Sequence, residues 1–311
     1  MKNVIILYFL IALIGCSDNP IESRPSDRSL KLDMALEGVY RFESYINSLT
    51  IYAFAEQGDG KYVYYATLAE LNQADINGLA PGSSGGGSNL TNSKLLEAQL
   101  PAARYRIYIV ANVQPDASGG FVQGVTRPED VFMAFPQDGL FNSYFSGQTD
   151  ADVGNGSTTI PIVLHRVISQ VFLKLEGIPS QLETVTLLIT NIANKVYIDG
   201  SLSKDAITVS EVYKVKVENS GEFSSAFFQQ YTFPTTGTIS DIQLLFLSKS
   251  GEKDTVTLTK SMLLPDKYLQ LNAEINHDFG STLSFNVNVT FFRTHNWRDV
   301  ELPDFPLNGI K

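Results

Sequence analysis

One cysteine, three histidines and a single tryptophan are all that 311 residues supply of those types. A lone cysteine forbids an internal disulfide, so the fold must stand on packing even in an oxidising compartment. Histidine is the usual carrier of acid–base work near neutral pH. Here His165 lies beside Arg166, His277 sits beside Asp278 in a turn, and His295 falls in a polar tail. No His-x-x-x-His or His-Glu-x-x-His spacing occurs, and there is no Gly-x-Ser-x-Gly elbow. All three read as surface or junction residues, no cofactor is implied, and the chain is expected not to be an enzyme. A secreted hydrolase would have no motif behind it. Basic charge is also scarce: 23 Lys and Arg face 33 Asp and Glu, a net charge of −10 that disfavours binding to nucleic acid through its phosphates. No repeat of fixed period and no coiled-coil heptad is present. The glycine-rich stretch 78–88 lacks the Gly-Lys-Ser/Thr ending of a phosphate loop and reads as surface loop.

Long apolar runs are missing too, save one at the very start. Lys2 gives a positive beginning, Val4 to Ala12 carries no charge, and polar Ser17-Asp18-Asn19-Pro20 follows directly. The run is about 11 residues against the roughly 20 that span a bilayer, so residues 1–15 read as a removable secretory signal. Its close, Leu13-Ile14-Gly15-Cys16, resembles the bacterial lipobox, in which the cysteine sulfur is acylated and the signal cut before it. Cys16 is therefore expected to carry lipid and to anchor the chain in the outer membrane, an assignment that Ser17 supports by analogy. Each acyl CH₂ contributes ~0.8 kcal/mol, so one chain binds marginally while two or three hold almost permanently.

Beyond a polar tether, 16–28, the signals are those of strands. Tyr and Phe number 14 and 19, and hydrophobic residues make up 43% of the chain, enough for a sizeable core and two domains of ordinary size. Leu30, Leu32, Met34 and Leu36 alternate with Lys31, Asp33 and Ala35; Leu49 to Phe54 forms a second strand. Gln57-Gly58-Asp59-Gly60 predicts a hairpin into Tyr62 to Tyr65, and Arg106 to Val113 a central strand. A single helical turn is expected after Arg127-Pro128-Glu129-Asp130, and a polar linker over 147–159. Strands follow at 170–176, 185–190, 213–218, 242–247, 255–259, 268–275 and 283–291. Many short strands between turns, with no helical period, indicate β-sandwiches. The expected division is 29–165 and 166–311.

Two candidate sites emerge from the residues. Asp150 and Asp152, at alternate positions, and Asn155 between two glycines are arranged as in a calcium loop, but the closing Glu is missing, and a polar linker is the commoner explanation. No metal is expected. Arg41 stands in the interruption between the first two strands, as a solvated loop arginine or as something more.

The whole layout resembles the fimbrillin, or type V pilin, family of Bacteroidia. The resemblance rests on Cys16, the strands Leu30 to Leu36 and Leu49 to Phe54, and the element Leu100 to Asn112. It continues through Ser143 to Gly147, then Ile160 to Val171, Leu263 to Tyr268, and Trp297. It implies two transthyretin-like antiparallel β-sandwiches. It also implies a lipid-anchored fimbrial subunit whose partners are other subunits and a host or bacterial surface ligand. In polymerising members a protease cuts after an arginine following the first strand, and a neighbour's strand fills the groove by β-augmentation. Arg41 stands where that arginine would be, whereas Arg24 and Arg28 are expected to precede the strand. Anchor and minor subunits keep their lipid and are not cut, and the compact length here favours that branch. The alternatives are a shaft or tip pilin matured after Arg41 and a glycan-binding surface lipoprotein using Tyr62, Tyr64 and Tyr65.

Overall fold

A computed structural model describes residues 28–37, 42–82, 93–136, 144–154, 158–215, 223–237, 239–276 and 286–296. The first half holds β1 (Arg28–Leu36), helix α1 (Phe42–Tyr45), β2 (Ser48–Glu56), β3 (Tyr62–Asn72) and helix α2 (Gln73–Gly78). It continues with β4 (Ala80–Pro81), β5 (Ser93–Leu100), β6 (Ala103–Ala111), β7 (Asp116–Ala117), β8 (Val131–Ala134), β9 (Phe145–Val153) and β10 (Thr158–Arg166). The second half holds β11 (Ser169–Pro179), β12 (Leu182–Ala193), β13 (Lys195–Tyr197), β14 (Ala206–Lys214) and β15 (Phe223–Thr232). Last come β16 (Ser240–Ser248), β17 (Lys253–Ser261), β18 (Lys267–Asn276) and β19 (Asn286–Asn296).

The expected two sandwiches are present, antiparallel except for one parallel pair in each. In the first, β10-β1-β5-β4 faces β3-β2-β6-β9, and the two layers join through the last residues of β10, which leave β1 to pair with β9. Alternation explains the layering. Leu30, Leu32 and Met34 of β1, Ile51 of β2 and Ile107 and Ile109 of β6 are fully buried between the sheets. In the second sandwich, β15-β11-β18-β19 faces β14-β12-β16-β17, and β16 reads buried and half-buried at strict alternation along its length.

Two of the departures from the sequence expectation concern long strands. The stretch 147–159, expected to be a linker, supplies most of β9 and the start of β10, and β9 lies between β6 and β10. Its polar residues are the outward half of an alternating pattern whose inward half includes Ala151 and Val153, each 2% exposed. Strand β15 was not foreseen at all, because Phe223 and Phe227 face solvent while buried Ala226 and Phe228 interleave with them.

The two sandwiches are sewn together. β8, from the first half, pairs antiparallel with β13, from the second, through Ala134 to Lys195, Met133 to Val196 and Phe132 to Tyr197. One apolar cluster runs from Tyr52, Phe54 and Tyr108 on the outer face of the first sandwich through Val131 and Met133 into Leu187 and Phe246 of the second.

Candidate functional site

The strand on which the family resemblance turns, β1, is interior. It pairs parallel with β10 from Leu30 opposite Thr158 to Leu36 opposite Leu164, and antiparallel with β5 from Arg28 opposite Leu100 to Ala35 opposite Ser93. Leu30, Leu32 and Met34 are wholly buried and Leu36 is 5% exposed. The outward face is covered as well at Asp33, which is 1% exposed. Arg28, expected ahead of the strand, is its first residue.

The end of β1 is latched. The Glu37 backbone N–H donates to the Leu164 carbonyl at 2.9 Å, and its carboxylate lies 2.6 Å from His165 Nδ1. Next to it, the Arg166 guanidinium is 4% exposed, stacks 4.9 Å from the Phe145 ring centroid and lies 3.8 Å from Asp266. The return into β2 is pinned too. Phe42 and Ile46 are buried, and Asn112 holds the turn between them and β2. Its side-chain oxygen accepts from Asn47 N at 2.7 Å and Ser48 N at 3.3 Å, and its amide donates to the Tyr45 carbonyl at 2.6 Å. Asn112 adopts φ 64°, a left-handed conformation that asparagine tolerates better than most side chains. These clamps were missed in the sequence. The one available signal was an asparagine ending an apolar strand, where a turn needs a left-handed residue. Cys16, Arg24 and Arg41 lie outside the described residues, as do His277 and Trp297.

The calcium-loop alternative has a different occupant. On β9, Asp150 and Asp152 share the outward face and stand opposite Arg106 and Arg104 of β6. The Asp150 carboxylate accepts from Arg106 Nε at 2.6 Å and Nη2 at 3.1 Å, a two-pronged pairing that lowers its pKa below the ordinary 3.8. Arg104 also reaches Glu56 at 3.4 Å. Among the described residues no group of three His, Cys, Asp or Glu side chains could hold a metal ion.

Nor are the three tyrosines free platforms. Tyr64 packs against Phe54 and Phe121, with centroids 5.9 and 5.3 Å apart, and Tyr65 meets Tyr105 edge-on at 5.5 Å. Tyr62 borders a cleft, with Arg106 over its ring.

Comparison with known proteins settles the family. Residues 25–300 match the model for fimbrillin-A associated anchor proteins Mfa1 and Mfa2. The chain belongs to this family. The resemblance to fimbrillins, with its lean toward the anchor branch, is thereby borne out, and the family is one of fimbrial proteins rather than enzymes. Among solved structures, the fimbrial anchor protein Mfa2 from Porphyromonas gingivalis is 15% identical, with TM-score 0.56, covering 87% of this chain and 98% of that one. A Bacteroides thetaiotaomicron protein provisionally called polysaccharide-binding gives 16% identity, TM-score 0.56, and 87% and 98% coverage. A Bacteroides ovatus protein provisionally called an adhesin gives 12%, 0.56, 86% and 95%. At these identities the likeness is one of fold. No curated protein matches the chain.

Proposed function

We propose that the chain is an outer-membrane lipoprotein, held by acyl groups on Cys16, that serves as anchor or minor component of a fimbrium and supports cell adhesion. Family membership supports the fimbrial role, and the lipobox supports the anchoring. The observation that carries the anchor assignment is the seating of β1, paired on both sides and latched through Glu37 to Leu164 and His165. Burying its four inward side chains contributes roughly 6–12 kcal/mol. That is comparable to the whole stability of a domain, about 5–15 kcal/mol. A subunit that keeps β1 keeps its own groove filled, so it joins the fibre by lending a strand rather than by accepting one. In this scheme 29–165 is the sandwich nearest the membrane and 166–311 the one beyond it.

Cleavage after Arg41 would instead release β1 and make the chain a polymerising shaft or tip subunit. Anchored residues on either side, Glu37 and Phe42, favour retention. Amino-terminal sequencing and intact mass of the protein purified from outer membranes decide between them. The expected result is a chain beginning at an acylated Cys16 with β1 attached. A mature chain beginning at Phe42 would overturn the anchor role.

A further inference from the structure

A cleft of about 360 Å³, within the usual range of ligand sites, opens where the hairpin from β2 to β3 approaches the turn after β13. We propose that it binds a carboxylated saccharide, a uronic or sialic acid unit of a surface glycan. The proposal is independent of the fibre role.

Three cations converge there, Lys61 from the hairpin, Arg106 from β6 and Arg127 at the turn before β8, in a chain whose net charge is −10. They are not equally engaged. Arg106 is fixed by its two-pronged pairing with Asp150 and by the Tyr62 ring, whose centroid lies 4.2 Å from the guanidinium carbon. Lys61 has no carboxylate partner among the described residues. Arg127 comes only to 3.7 Å from Glu129, and both side chains are about 60% exposed, 60% and 61%. That separation is too long for a charge-assisted hydrogen bond. Two acids, Glu129 and Asp199, line the same cleft, and Asp199 is engaged in its own turn, accepting from Ser201 N at 2.9 Å and Ser201 Oγ at 2.7 Å. Lys61 is thus open to an incoming carboxylate, and Arg127 can meet one by exchanging its loose, exposed pairing with Glu129.

The remaining wall selects a sugar over a small inorganic anion. Tyr62, whose ring carries Arg106, offers its hydroxyl, and Gln148 lines the same cleft with an amide that makes no hydrogen bond among the described residues. An amide both donates and accepts, the pairing that a ring bearing vicinal hydroxyls needs. A phosphate would use the charges and leave this wall unpaired.

The test is calorimetric titration of the full chain in detergent with sialyllactose, with a galacturonic acid trimer, and with lactose as the neutral probe. The two acids separate a sialic from a uronic source. One acid is expected to bind at least about tenfold more tightly than lactose, and the double variant Lys61→Gln, Arg127→Gln to lose about tenfold for each charge removed. Both side chains stand outside the core, and an unchanged melting temperature shows that the variant folds. Failure of both acids to bind, equal binding of lactose, or undiminished binding by the double variant would overturn the proposal.

Discussion

At the scale of single residues, charge on this protein is placed by strand geometry. Arg104 and Arg106 occupy alternate positions on β6, as Asp150 and Asp152 do on β9, so both pairs meet across the ladder on one face. The alternation was visible in the sequence, but the partnership was not, because nothing local says that strands 44 residues apart become neighbours. Glycines at 147, 154 and 156 around the acids then suggested a loop. Gly147 has a packing reason instead: a β-carbon there would stand 2.6 Å from the Val163 carbonyl oxygen. The Arg106 pairing also fixes a pH dependence. Since the Asp150 pKa is lower in the folded chain than the ordinary 3.8, its contribution is complete above that value and is lost as pH falls through the depressed one. Asp150→Asn should lower the urea midpoint modestly at neutral pH, as befits an exposed pair. The gap to the parent should close at the lowest pH where both remain folded, and a gap that held constant would show that the pairing contributes nothing.

For elements, legibility followed apolar patterning. β1 and β16 were readable from alternating rows and β2 and β6 from near-continuous runs buried on both faces, whereas β15 hides its row among exposed phenylalanines and glutamines. Edges were invisible for a different reason. β3 lies at the rim of its sheet and carries register shifts between Ile51 and Tyr52 and between Ala53 and Phe54 of its partner, bulges that blunt an edge against stray pairing. Part of that rim is covered, since Tyr64 exchanges backbone hydrogen bonds with Thr126 and Gly124 at 2.7 and 2.8 Å. No alternation rule predicts such a cover. The importance of β1 as a seated strand is directly measurable. Leu32→Ala removes a wholly buried side chain from the centre of the first core and should cost about 2–5 kcal/mol in denaturant unfolding. A loss under about 1 kcal/mol would mean that β1 contributes little to closing the sandwich.

For the whole molecule, the two sandwiches share one plan. The first strand of each, β1 and β11, pairs parallel with a late strand, β10 and β18, and antiparallel with a middle one, β5 and β15. The second strand of each, β2 and β12, likewise lies between β3 and β6, or β14 and β16. No repeat of fixed period announces this, because pairing order is conserved here by backbone geometry and inward apolar rows, not by particular residues. The seam between the halves escaped notice as well: β8 and β13 are each too short to carry a periodic signal. That seam makes the pair one unit. Val196→Asp would place an unpaired charge at a position 2% exposed, opposite Met133. Scanning calorimetry is expected to split a single transition into two, and a retained single transition would refute the coupling.

An interior first strand also bears on force. Should the lipid on Cys16 hold the protein, tension between membrane and fibre enters the fold at Arg28 and runs along the axis of β1. Seven residue pairs with β10 and eight with β5 then lie across the line of pull and have to slide together, whereas a strand at a rim, peeled from one end, gives way a pair at a time. Under such a tether, placement that closes a core would double as a shear-resistant mooring.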